Sequence, residues 1–220
     1  MSDPPLSRDA IVDAALALTR ADGLSAVTMR AVASRMHVTP MALYHHVGDR
    51  DGLVRLVADR VGSFIHPETD CVRDWQDRVR AWAGAQYATL REYPGVAAWL
   101  MDNGPAGPEA YRLLETLTGT LTDAGFSDSA VARIATLVMS WTFSRIAIED
   151  NAAARERGPR RGRARAFVAG LTDIDPTTHP NAARVGVEFF TLPLRETFDG
   201  GIETILAGSI ALHPSAHPVH

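Results

Sequence analysis

The chain has 220 residues, with 22 basic against 26 acidic side chains, a net charge of −4, and arginine as its only basic residue besides histidine. With 46% hydrophobic and 22% charged residues, it is long enough to bury roughly 70% of its unfolded surface, which excludes global disorder. The acidic balance argues against a generic polyanion binder, and the lone Cys71 excludes an intrachain disulfide and a cysteine-based zinc site.

Apolar residues recur at helical spacing almost throughout, and no run has the alternation of a strand, so the expected fold class is all-α. Ser7 is a candidate N-cap for a first helix with Ile11, Ala14, Ala15 and Leu18 inward, stopped by Gly23. Thr28 opens a short second helix to about Met36. Thr39-Pro40, a cap followed by proline at the first helical position, opens a third of about two turns. Asp49 caps a fourth, with Leu53, Leu56, Val57, Arg60, Val61 and Phe64 inward. Residues 7–66 thus form a small head, a three-helix bundle plus a connecting helix, and 67–73 read as a linker.

Residues 74–212 form a larger helical body. Its first helix starts at Asp74 and turns Trp75, Val79, Trp82, Ala83, Gln86 and Leu90 inward. Tyr93-Pro94-Gly95 ends it, and a short helix runs through Trp99. Pro108 begins the next helix, with Tyr111, Leu114, Leu117, Thr118 and Leu121 inside. The longest helix starts at Ser127 or Asp128 and runs to about Ala154. An arginine-rich stretch, 155–165, follows, with six arginines and one acid; it reads as a solvated loop, with contact to DNA or an acidic partner as the alternative. Two last helices span about Asn181–Leu192 and Leu194–Leu212, before a tail without pattern. The opening residues lack a signal-peptide core, and no apolar stretch reaches the ~18 residues of a transmembrane helix. The expected location is the cytoplasm, with no membrane partner.

Residues 28–46 have the spacing of a helix-turn-helix, a spacing also found in ordinary helical hairpins. Ala33 suits a close helix crossing, Val38 can plug the gap, and His37 occupies a turn position that needs positive φ. Thr39, Pro40 and Met41 lie at the N-terminal end of the second helix, the end that meets base edges in a major groove. Tyr44, His45 and His46 lie one turn on, and Thr28, Arg30 and Arg50 bracket the same phosphate backbone. Adjacent histidines point about 100° apart on a helix, so His45 and His46 are not a chelating pair, and no metal site is expected.

The run TMRAVASRMHVTPMALYHHVGDRDGLVRLV resembles the N-terminal domain of TetR-type transcriptional regulators, and LYHHVGDRDGLV is particularly similar to the tetracycline-repressor branch. The resemblance covers the head at the level of motifs; in the body it rests on helix number, helix order and a final GGIETIL-like helix. It implies a homodimer whose heads bind adjacent major grooves of a palindromic double-stranded DNA operator and are released by a small-molecule effector. It also implies that the nine residues Thr28, Arg30, Thr39, Pro40, Met41, Tyr44, His45, His46 and Arg50 face the DNA. The long helix of the body and its last helix, with Gly200, Gly201, Ala207 and Gly208, are the implied dimer-forming pair, with intrachain packing as the alternative.

In the body, Trp82, Gln86, Trp99, Met101, Tyr111, Trp141 and Arg145 are candidate ligand-pocket residues, because aromatics and polar groups on buried faces can line a cavity. Each aromatic could equally be core, and Arg145 could pair with Glu149 one turn away. No nucleophile-elbow, phosphate-loop or HExxH signature is present, and no histidine lies within the body's expected helices, so no catalytic residues and no cofactor are expected. An enzyme with a helical pocket and a helical adaptor without DNA binding remain the competing classes.

Overall fold

The computed structural model describes residues 6–69, 72–157, 174–186 and 188–213. Cys71, most of the arginine-rich stretch and nearly all of the tail lie outside the described residues. The chain folds as α1 (Arg8–Asp22), α2 (Met29–Arg35), α3 (Pro40–Val47), α4 (Arg50–Gly62), α5 (Trp75–Leu90), α6 (Val96–Asn103), α7 (Pro108–Asp123), α8 (Asp128–Arg157), α9 (Pro180–Val185), α10 (Glu188–Thr191) and α11 (Leu194–Ile210). Among the described residues there is no strand.

Local chemistry sets the boundaries in the head. Ser7, Thr28 and Asp49 each accept a hydrogen bond from the first turn of the helix they open. Helix α1 packs on α4 and α2, and buries Ile11, Val12, Ala15, Leu16 and Thr19. That face is wider than the expected stripe, and it includes Thr19 because the hydroxyl donates to the Ala15 carbonyl within the helix. Arg60 of α4 donates to Asp13 (2.9 Å) and Asp9 (2.6 Å) of α1, which ties the connecting helix to the bundle.

In the body α8 is the central element, contacted by α5, α6, α7 and α11. Its inner face carries Val131, Ile134, Val138, Thr142 and Ile146. One 28-residue stretch of α8, Asp128–Arg155, is long and apolar enough by length and composition to cross a membrane, with 33% of its apolar window buried. This corrects the expectation that no stretch qualifies: threonines, serines and alanines between the core residues leave a window with no more than two charged side chains. Leu137 and Ile148 are exposed on the same helix, eleven residues or about three turns apart, and therefore on one face.

Phe64 and Tyr111, expected inside, are exposed instead. Phe64 lies beyond the end of α4 and stacks on Tyr93 at the surface, while α7 turns Leu113, Leu117, Thr120 and Leu121 inward. The single helix expected over Asn181–Leu192 is broken, because Gly186 adopts a positive φ of 56° and ends α9.

Two polar contacts between head and body bear on the site. At the first, the Leu24 N–H donates to the Pro94 carbonyl (2.8 Å), and Arg20 pairs with Glu92. At the second, α4 and α7 cap each other. Helix α7 begins at Gly107-Pro108 with no capping side chain of its own, and the Asp59 carboxylate accepts from the Glu109 N–H (3.0 Å). In return Arg112 of α7 donates to the carbonyls of Gly62 (3.1 Å) and Ile65 (3.0 Å), which close the far end of α4. A Cβ on Gly107 would lie 2.7 Å from the Asp59 carboxyl carbon, so any larger residue there would displace the capping carboxylate.

Candidate functional site

The first candidate surface is built on α2, the turn Met36–Thr39, and α3. His37 has φ +56°, the single positive-φ residue other than glycine among the described residues. It reverses the chain so that the Val38 N–H donates to the Ala33 carbonyl (3.0 Å), with Ala33 buried at the crossing and Val38 against the core. Leu43 and Val47 anchor α3 in the core. The opposite side is left to solvent: Met41 is 67% exposed and Tyr44 46%, with Thr39, Pro40 and His45 exposed beside them.

Polar contacts fix the pose of this helix. Arg8 of α1 donates to the His46 carbonyl (3.1 Å), and Arg50 Nε donates to the Val27 carbonyl (2.9 Å), which joins the start of α4 to the segment before α2. His46 itself is half-buried. Thr28 is occupied as a cap, accepting from the Ala31 N–H (3.1 Å), whereas Thr39 makes no capping hydrogen bond. Arg30 is exposed on α2. Over residues 28–50 there are three arginines and three histidines against Asp49, whose carboxylate is spent on the Gly52 N–H (2.8 Å). The surface is therefore a short helix exposed on one side, with a hydroxyl at its N-terminus, a phenol and imidazoles one turn on, and guanidinium groups on the neighbouring helices.

The second candidate is a cavity of about 620 Å³, its mouth included, between the end of α4 and helices α5 to α8. Ala58, Gly62 and Ile65 form the wall nearest the head. Trp82, Gln86 and Leu90 contribute one row of α5, Leu113 and Leu114 come from α7, and Met139 and Phe143 come from α8. The Trp82 Nε1–H donates to the Leu113 carbonyl (2.7 Å), so its polar edge is satisfied. Gln86 is 2% exposed and has no hydrogen-bond partner among the described residues.

Of the seven sequence-derived pocket residues, Trp82 and Gln86 lie on this wall. Trp99 lines a separate open cleft between head and body, under Arg55. Met101 and Tyr111 are 50% and 61% exposed. Trp141 packs against α11 and donates from Nε1 to the Phe198 carbonyl (3.0 Å). Arg145 pairs with Glu149 (3.1 Å), the intrahelical alternative. The buried Glu149 carboxylate also accepts from the Tyr87 hydroxyl (2.8 Å) and faces Arg91 (3.2 Å). Burial, followed by the hydrogen bond to Glu149, pushes the Tyr87 phenol up to about 12. Among the described residues, no group of three or more His, Cys, Asp or Glu side chains is placed to hold a metal ion.

Comparison with known proteins agrees with this architecture. Residues 11–57 match the family described as bacterial regulatory proteins, tetR family, and residues 67–212 match the tetracyclin repressor-like C-terminal domain. A curated relative from Saccharopolyspora erythraea, an HTH-type transcriptional regulator, is 28% identical over 67% of this chain and 62% of its own length. The HTH-type transcriptional repressor DrrR1 of Streptomyces coeruleorubidus is 28% identical over 57% of this chain and 47% of its own. The chain thus spans about half to three-fifths of the length of these relatives. The crystal structure of ActR from Streptomyces coelicolor in complex with actinorhodin superimposes with a TM-score of 0.84 at 27% identity, covering 98% of this chain and 100% of that one. The chain belongs to the tetR family of bacterial regulatory proteins.

Proposed function

We propose that the chain is a homodimeric transcriptional repressor, with a DNA-binding head at 7–66 and an effector-binding, dimer-forming body at 74–212. In this reading α3 enters the major groove of one operator half-site. Thr39, Pro40, Met41 and Tyr44 meet base edges and adjacent phosphates, while Thr28, Arg30, His45, His46 and Arg50 hold the backbone on either side. The observation that carries it is the position of α4. It starts three residues after the recognition helix and ends in the cavity wall, at Ala58, Gly62 and Ile65. A molecule in the cavity therefore touches the element that aims the head.

Two heads one turn of DNA apart must keep their spacing to bind together. An effector that fits the cavity better when α4 is tilted favours the DNA-incompetent state. By linkage, operator DNA weakens the effector by the same factor. The ActR relative solved with actinorhodin supports a small molecule in this role. The exposed Leu137 and Ile148 of α8, together with Ile210 of α11, support a twofold helical interface built from those two helices. A DNA-binding role places the protein in the cytoplasm.

Footprinting on the promoter adjacent to the protein's own gene tests the proposal. Protection of a palindrome is expected, with affinity falling steeply as salt rises, and with a loss of about tenfold or more for Tyr44→Ala. No protected palindrome, with wild type and Tyr44→Ala indistinguishable, refutes it.

A further inference from the structure

We propose that the effector is an uncharged, largely apolar molecule carrying a hydroxyl or carbonyl group, and that Gln86 is the residue that selects it by hydrogen-bonding that group. This inference rests on the reading of the cavity as the effector site and names the chemistry the site takes.

The charge of the ligand follows from the wall. None of the side chains lining the cavity is ionisable. The Arg112 guanidinium, which reaches the backbone of two wall residues, is committed to the Gly62 and Ile65 carbonyls and to Glu109. A carboxylate or ammonium ion entering this space would lose its hydration without meeting a counter-charge. An uncharged molecule exchanges water for contact with Leu113, Met139, Phe143 and the Trp82 ring at no such cost.

The polar group follows from Gln86. A primary amide carries two donor hydrogens and one carbonyl acceptor, and buried amides are normally paired. The Trp82 indole, the other polar side chain on the wall, has its N–H satisfied by the Leu113 carbonyl. Gln86 is as deeply buried as a residue and makes no hydrogen bond among the described residues, while its amide atoms remain open to the cavity that the residue lines. It sits one turn from Trp82 in the same row of α5, beside an aromatic face. A leucine there would complete an apolar wall, so the amide is the one free donor and acceptor that the wall's side chains offer to a ligand hydroxyl or carbonyl.

Isothermal titration with three naphthalene probes of one shape tests this: 2-naphthol, naphthalene and 2-naphthoate at neutral pH. Wild type is expected to bind 2-naphthol at least about tenfold more tightly than naphthalene, and 2-naphthoate more weakly than both. Gln86→Leu is expected to level the first two while melting no earlier than wild type. Gln86→Met, of closer length, is the second variant should leucine disturb the packing. Equal binding of naphthol and naphthalene by wild type, or an unchanged preference in both variants, overturns the role of Gln86. Tightest binding of naphthoate overturns the uncharged class. Binding of none of the three, with operator binding intact in the same samples, overturns both the inference and the cavity as effector site. Loss of operator binding alone counts against the repressor reading and leaves the ligand preferences standing.

Discussion

Replacing Gly201 with alanine forces α11 and α8 apart at one defined point. A Cβ at this position would fall 2.1 Å from Trp141 Cε2, 2.2 Å from Cζ2 and 2.4 Å from Nε1, inside any allowed contact. The indole must retreat by more than an ångström, and its 3.0 Å hydrogen bond to the Phe198 carbonyl cannot survive that movement. Losing that bond costs about 1 kcal/mol and overpacking a further ~1–3 kcal/mol, against roughly 0.5–1 kcal/mol gained when alanine replaces a helical glycine. The net expectation is a destabilisation of about 1–3 kcal/mol. Gly119 of α7 is the control, because nothing lies within 4 Å of its Cβ position. Gly119→Ala should stabilise by about 0.5–1 kcal/mol. Urea unfolding followed by circular dichroism, at one protein concentration because assembly contributes to stability, measures both. Trimming the ring with Trp141→Phe in the Gly201→Ala background should recover part of the loss, a coupling that a double-mutant cycle reads directly. Equal stability for Gly201→Ala and Gly119→Ala, with tryptophan emission unchanged, would refute the packing argument.

Other expectations concern the turn, the buried acid and the clamp. His37→Val places a β-branched residue at positive φ and should cost about 1–2 kcal/mol, whereas His37→Gly should be tolerated; thermal melting distinguishes them. Tyr87 keeps its proton up to about 12 when folded but releases it near its ordinary value of 10 when unfolded. Its contribution is therefore complete below pH 10 and lost as pH rises towards 12. Tyr87→Phe should not show that alkaline loss, and parallel pH–stability profiles of the two proteins would contradict it. Asp59→Ala removes the cap of α7 and should cost about 1 kcal/mol while weakening the effect of a cavity ligand on operator binding, measured by gel shift with and without 2-naphthol. An unchanged ligand effect would exclude the α4–α7 contact as the transmission path.

Local chemistry was readable from the sequence where a residue acts through its own backbone. The caps at Ser7, Thr28 and Asp49, the proline opening α3 and the positive φ of His37 all belong to this kind. Helix faces were read less well. The apolar stripe of α1 omitted Thr19, and helical spacing placed Phe64 and Tyr111 inside, although both are exposed. The cavity was legible only along α5, where Trp82, Gln86 and Leu90 repeat every four residues. Met139 and Phe143 of α8 face it from beside the stripe that carries Ile134, Val138 and Trp141, and their direction depends on how far α8 is rotated against its neighbours. That rotation is a property of the assembled body, as are Tyr87 and Arg91, the partners of Glu149 from another helix.

The reciprocal caps between Asp59 and Arg112 give α4 the mechanics of a lever. Its thirteen residues make a rod about 20 Å long, held at one end by α7 and joined to the head at the other through Arg50, whose Nε donates to the Val27 carbonyl. A rotation of about 6° at the held end carries the far end by about 2 Å, and the recognition helix beyond it moves at least as far. A displacement at the cavity too small to rearrange the wall is thus multiplied with distance. The part of the molecule that contacts DNA is the part that travels furthest.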